Sequence, residues 1–227
     1  MKREIMITSD GSTTIHLPDW NEQYHSKHGA IQETYHVFIK HGLDAILKPT
    51  ISILEIGFGT ALNCFITLLE AQKKNIIIDY VGIEAYPVTV KEVSKLNYVT
   101  ELKVMDQQLL FAKIHQSSWE EKHSILPNFN LLKRQQFFQD INDKNAFDLV
   151  YFDAFSAEHQ PHLWTATIFE KMFTALKING ILVTYSAKGS ARRALQEVGF
   201  VVERLPGPPG KREMLRATKV TSNIQRS

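Results

Sequence analysis

A short apolar run ends in Glu55-Ile56-Gly57-Phe58-Gly59-Thr60 and passes straight into a stretch with helical spacing. Two glycines let the backbone turn sharply and come close to a ligand, and the start of the following helix offers free N–H groups. Such a turn suits a nucleotide. A dinucleotide fingerprint wants a further glycine or alanine where Leu62 stands, and a phosphate-binding loop wants Gly-Lys-Ser/Thr, which the segment lacks. The next apolar run ends at Glu84, 27 residues after Gly57, where a carboxylate can accept hydrogen bonds from both ribose hydroxyls. Asp140 precedes a further apolar run and Asp153 ends it. In a parallel sheet the carboxyl ends of neighbouring strands converge on one crevice, so Glu84, Asp140 and Asp153 can share a site. Each also has a plain structural reading: a tight turn at the glycines, a solvated charge at Glu84, a helix cap at Asp140, an Asx turn at Asp153. His159 and His162 have a His-x-x-His spacing, but with Cys64 the single cysteine and no second pair nearby, no zinc site is expected.

The elements that must hold these residues are legible from periodicity. Residues 51–57, 78–84, 146–153 and 181–185 read as buried strands, and 60–73, 88–98 and 164–176 as helices. Strands alternating with helices predict an α/β fold whose mostly parallel sheet is covered on both faces. Lys177-Ile178-Asn179-Gly180 reads as a helix stop, residues 100–128 as a helical insertion or cover, residues 206–210 as a rigid loop, and Glu213–Ala217 as a last, antiparallel strand.

The chain of 227 residues is 44% hydrophobic and 22% charged, enough for one domain of ordinary size with a real core. A lone cysteine excludes an intrachain disulfide; with no leader-like N-terminus and no apolar run near the roughly 20 residues of a membrane helix, a cytoplasmic protein is expected. The net charge of +2 is uninformative, but residues 188–227 hold nine basic and three acidic residues, an excess of +6 against −4 for the rest. The last fifth of the chain is a candidate polyanion-facing surface.

Several ordered segments carry a more specific likeness: Tyr24-His25-Ser26, Gly29 and Glu33; Gly57-Phe58-Gly59-Thr60-Ala61-Leu62-Asn63; Asp153-Ala154-Phe155-Ser156-Ala157; Trp164-Thr165; Ser186-Ala187; Arg192-Arg193 through Gly199-Phe200; and Lys211-Arg212-Glu213-Met214-Leu215. This set resembles the methyltransferase half of the tRNA 5-methylaminomethyl-2-thiouridine-forming enzymes (MnmC-like, and the stand-alone MnmD-like proteins) over nearly the whole chain. The resemblance implies a class I, Rossmann-like methyltransferase fold over 1–227, with 1–48 covering the cofactor and 188–219 a basic C-terminal arm. It implies S-adenosylmethionine as donor and the aminomethyl group of a tRNA wobble uridine as acceptor. Glu55, Gly57, Gly59, Thr60, Glu84 and Asp140 would bind the cofactor, Glu84 at the ribose and Asp140 at the adenine amino group. Asp153 would meet the acceptor amine. Tyr24, Ser26, Glu33, Phe155, Trp164, Arg192, Arg193, Lys211 and Arg212 would bind the substrate. The flavin-dependent oxidase domain of many relatives has no counterpart here, so only the final methylation is implied, with a separate enzyme supplying the precursor.

Methyl transfer from a sulfonium to an amine needs alignment and a free lone pair on nitrogen; neither a metal nor a covalent nucleophile is required. A primary amine is largely protonated at neutral pH, so a nearby carboxylate that takes its proton suits the task. Two other readings compete: a small-amine or polyamine-type transferase on the same fold, which has no need of a basic C-terminal surface, and a non-catalytic RNA-binding module.

Overall fold

The computed structural model describes residues 2–221; Arg226, counted in the basic last fifth, lies outside the described residues. A small antiparallel sheet opens the chain: β1 (Glu4–Ile7), β2 (Thr13–Leu17) and β3 (Glu22–Gln23). Then α1 (Ala30–Glu33) runs on as a π-helical stretch, Thr34–Lys40. The main sheet begins with β4 (Thr50–Ile56), followed by α2 (Leu62–Lys74) and β5 (Ile77–Ile83). Two single turns, α3 (Val90–Val93) and α4 (Tyr98–Glu101), lead to α5 (Gln108–Gln116) and the hairpin β6 (Lys122–Leu126) and β7 (Phe129–Arg134). The remainder is β8 (Phe147–Phe152), α6 (Ala166–Ala175), β9 (Leu176–Thr184), α7 (Gly189–Val198), β10 (Phe200–Pro206) and β11 (Glu213–Lys219).

Eight strands lie in the order β10-β11-β9-β8-β4-β5-β7-β6. From β9 through β7 they are parallel, while β11 runs antiparallel to both its neighbours and β6 antiparallel to β7. This is the expected α/β class with its antiparallel last strand. Side-chain alternation divides the core between the two faces: Leu149 and Tyr151 of β8 pack with Phe65 and Leu68 of α2, while Val150 and Phe152 pack with Phe169 and Met172 of α6.

Four expectations change. The helix over 88–98 is two separate turns: Val90 is 87% exposed, so the segment has no full apolar face to bury. Its Asn97 instead docks the N-terminal sheet, accepting the N–H of Thr13 (2.7 Å) and donating to Gly11 O (2.9 Å). The segment 100–128 is only partly a helical cover, because 122–126 belongs to a hairpin whose second strand, β7, joins the sheet beside β5. Lys133 hides that strand in the sequence, since a lysine on an inward position breaks the apolar pattern. It is buried because Nζ donates to the carbonyls of Ile114 and His115, both at 3.0 Å, capping the end of α5. Burial lowers its pKa to about 8. Asn179 does adopt the left-handed conformation (φ 64°), but inside β9, where the register against β8 shifts, rather than at a helix stop. Finally, 188–219 is no arm: α7 packs on α6, and β11 is inserted between β9 and β10.

Candidate active site

Strand β4 is the point where the chain order reverses, with β5 and β7 on one side and β8 and β9 on the other. Ligands of open α/β sheets bind beyond the carboxyl ends of the strands at such a point. A cavity of about 920 Å3, open mouth included, lies there, lined by Gly57, Gly59, Glu84, Phe137, Gln139 and Asp153 among others. Gly57 (φ 89°) and Gly59 (φ 47°) make the turn after β4. A side chain at Gly57 would put its Cβ 2.6 Å from the carbonyl oxygen of Asp153, and one at Gly59 would put it 3.0 Å from the Tyr24 ring. The N–H groups of Gly57 and Phe58 donate to Ile83 O at 3.0 and 2.9 Å, binding the turn to the end of β5. Glu84 completes the link, its two oxygens accepting the N–H groups of Gly59 (3.0 Å) and Tyr86 (2.9 Å). Each oxygen keeps lone pairs for a ligand.

Below this floor is a polar group that sequence reasoning missed. Asn63, near the start of α2, donates from Nδ2 to Asp153 Oδ2 and to Glu55 Oε1, both at 2.9 Å, and its Oδ1 accepts from the Thr34 hydroxyl at 2.8 Å. Glu55 Oε2 is 2.8 Å from the Tyr80 hydroxyl. The signal was an asparagine in the apolar face of α2, in a position where a buried amide must find partners. Burial holds the Glu55 carboxyl well above the usual carboxylate range. Asp153 lines the cavity, and its pKa is raised to about 7, chiefly by burial and then by the negative charge of Glu33; the Asn63 bond and the Lys211 charge pull the other way.

A second cavity adjoins the first, with Tyr24, His25, Ala154 and Phe155 common to both. Ser26, Glu33 and Lys211 line it, so five of the nine substrate candidates meet at one place. Glu33 is buried and accepts from Lys211 Nζ (2.7 Å) and from the Ser26 N–H (2.9 Å). The Lys211 ammonium also sits 3.7 Å from the centre of the Tyr185 ring. Tyr185 in turn donates to Ala154 O at 2.8 Å. On the far wall Glu22 accepts from Ser156 Oγ (2.7 Å) and approaches His159 Nε2 (3.2 Å), whose ring stacks on Trp20. His162 lines the first cavity instead, so the two histidines do not converge on a metal.

Several expected roles do not match where the side chains sit. Glu55, 1% exposed, lies under the floor rather than in the cavity. Thr60 is fully buried and turns away, its Oγ1 accepting from the Tyr98 hydroxyl at 2.9 Å and lying 3.5 Å from His25 Nε2. Asp140 is exposed beside the cavity, while its neighbours Phe137, Phe138 and Gln139 form the wall. Trp164 is a core residue, packed on Phe152 and Phe169, with its indole N–H given to Phe155 O at 2.7 Å. Lys211 is committed to Glu33 and so is not a free phosphate contact. Arg192 and Arg193 lie on α7 and Arg212 next to Lys211, all outside both cavities. Among the described residues, no helix is long and apolar enough to cross a membrane.

Comparison with known proteins agrees with the fold. The MnmC tRNA 5-methylaminomethyl-2-thiouridine biosynthesis bifunctional protein of Leptospira borgpetersenii is 26% identical over 217 residues, 86% of this chain and 32% of that protein. Its namesake from Leptospira interrogans is 27% identical over 232 residues, 92% of this chain and 34% of that protein. The chain thus spans about a third of the length of the curated relatives it matches. The crystal structure of MnmC2 from Aquifex aeolicus superposes with a TM-score of 0.75, at 24% identity, over 97% of this chain and 71% of the other. The spermidine synthase of Thermotoga maritima shares the fold at a TM-score of 0.53, at 14% identity, over 96% of this chain and 72% of its own. Residues 103–220, more than half of the chain, match the family model for S-adenosyl-L-methionine-dependent methyltransferases, and the chain belongs to that family.

Proposed function

We propose that this methyltransferase acts on the aminomethyl nitrogen of a tRNA wobble uridine, giving 5-methylaminomethyl(-2-thio)uridine. The observation that carries the reading is a half-buried carboxylate, Asp153, at the wall of the donor cavity and next to the residues shared with a second cavity. The relatives named for this tRNA modification match most of the chain, which agrees with it.

The first cavity fits an adenosyl group. Its glycine turn is a cradle that any side chain would fill, Glu84 offers lone pairs at the height of a ribose, and Phe137 and Phe138 give flat apolar walls for a base. Gln139 lines that wall, with Asp140 at its rim for the adenine amino group. S-adenosylmethionine, when bound, supplies an electrophilic methyl group on its sulfonium. Tyr24 and His25 of the N-terminal segment line that cavity. Burial holds His25 neutral, its pKa near 4, so it adds no positive charge beside a cationic sulfonium. The acceptor uridine enters the second cavity along Phe155, with Ser26 and Glu33 on the opposite wall. Asp153 takes the proton of the incoming ammonium and orients the lone pair toward the methyl group. A pKa near 7 makes it a stronger base than an ordinary aspartate while leaving about half of it ionised in neutral solution.

Incubation with labelled S-adenosylmethionine and tRNA bearing the unmethylated aminomethyluridine tests the reading. Label should appear in a methylaminomethyluridine; label in free polyamine instead overturns it in favour of a small-amine transferase. The protein would work in the cytoplasm, on a precursor made by a separate enzyme.

Contact with tRNA phosphates falls to Arg192, Arg193 and Arg212, which have no partner for their side chains among the described residues. Three contacts should give a slope of about −2 to −3 in log affinity against log salt. Alanine at Arg192 and Arg193 should flatten that slope by about two contacts' worth in filter-binding titrations, and Lys211→Ala should leave it unchanged.

A further inference from the structure

Asp153 has two carboxylate oxygens, and the fold treats them differently. Oδ2 accepts the Asn63 amide at 2.9 Å, whereas Oδ1 has no partner among the described residues. The amide itself is held at all three of its used positions. One N–H goes to Asp153, the other to Glu55 Oε1, and Oδ1 receives the Thr34 hydroxyl. Turning the amide over would aim its oxygen at two carboxyl groups, so the orientation is set by its acidic partners.

We propose that Asn63 is a positioning residue for Asp153: it pins Oδ2, leaves Oδ1 as the oxygen that meets the acceptor nitrogen, and is itself aimed by Glu55. The inference rests on the reading of Asp153 as the base. Burial and the nearby Asp153 charge hold the Glu55 carboxyl well above the usual carboxylate range, and that carboxyl accepts on both oxygens, Oε2 from the Tyr80 hydroxyl at 2.8 Å and Oε1 from Asn63 at 2.9 Å. The other charged or titratable groups near Asp153 are Glu33 on α1, Lys211 on the loop before β11 and Tyr185 after β9, with Tyr24, His25, Glu84 and His162 on the same cavity.

The test is the pH profile of methyl transfer to aminomethyluridine tRNA. Loss of a bond to the charged form should move the acid limb of kcat upward from about pH 7 by about one unit in Asn63→Ala, a loss of about fivefold at pH 7 that approaches about tenfold at lower pH, with KM for the donor within threefold. Glu55→Gln keeps an acceptor oxygen for Asn63, so it should keep the wild-type profile. Glu55→Leu should behave like Asn63→Ala. The isosteric Thr34→Val, which removes the third tether, should shift the limb in the same direction by less and guards against misfolding of the others. Profiles that stay at the wild-type position in Asn63→Ala or Thr34→Val, or that coincide for Glu55→Gln and Glu55→Leu, overturn the inference. Asp153→Asn separates the two failures: if it is inactive while Asn63→Ala keeps its profile, only the positioning role falls, and if it retains turnover the base reading falls first.

Discussion

Asp153→Asn should lower methyl transfer by about 100-fold to 10,000-fold, the range for a lost general base, while the affinity for S-adenosylmethionine changes only a few-fold. The amide matches the carboxylate in shape, and its oxygen can still meet Asn63, but it cannot take a proton. The same substitution should stabilise the folded chain. With a folded pKa near 7 against about 3.9 in the unfolded chain, the native carboxyl retains a proton that the unfolded one has released between about pH 4 and 7. The ionised group therefore costs stability, a cost that is missing below pH 4 and complete above pH 7. Urea titration at pH 8 should find the Asn variant about 1–3 kcal/mol more stable than wild type, and at pH 4 the two should be equal. A loss of activity without that pH-dependent gain would mean that burial does not strain the carboxylate. Turnover within threefold of wild type would make Asp153 a positioning residue.

That the strained group sits at the end of β8 was legible in the sequence, since an acid closing a run of six buried residues is conspicuous. The same holds for the glycine turn and Glu84, which follow from strand ends and spacing alone. What sequence patterns could not give is the direction of each side chain. Glu55 and Thr60 flank the glycines as closely as any ligand-binding residue, yet the pleat sends Glu55 down to Tyr80 and the turn sends Thr60 toward Tyr98. Trp164 and Phe155 are equally plausible walls for a base until the indole N–H is seen to be spent on Phe155 O. The missed strand β7 shows the opposite limit: a buried lysine that caps a helix 18 or 19 residues earlier in the chain has no local signature.

The charge of the basic last fifth follows from the sequence, whereas the partners of several of its residues do not. Residues 213–219 are held in the sheet on both sides, and Arg204 and Arg216 pair with Glu213 and Glu203 within that hairpin. Lys211 lines the second cavity from the loop before it. Charge counts along a chain say nothing about partners brought from 178 residues away, as Glu33 is to Lys211.

Glu84→Ala should weaken S-adenosylmethionine binding by at least about 100-fold. The carboxylate lines the donor cavity at the end of β5, and charge-assisted bonds to two ribose hydroxyls contribute roughly 1.5–3 kcal/mol each. Two of them make a tenfold loss apiece the lower bound. The side chain also ties down the N–H groups of Gly59 and Tyr86, so its removal frees the turn as well as the ligand contact. Glu84→Gln separates the two effects. A glutamine keeps one acceptor oxygen for either the turn or the ribose and presents an NH2 group to the other, so its affinity should fall between wild type and the alanine variant. Calorimetric titration of the three proteins reads the order directly, and the thermal midpoint of each shows that the fold persists. Equal affinities in all three would remove Glu84 from the donor site and return it to the role of a turn-stabilising carboxylate at a strand end.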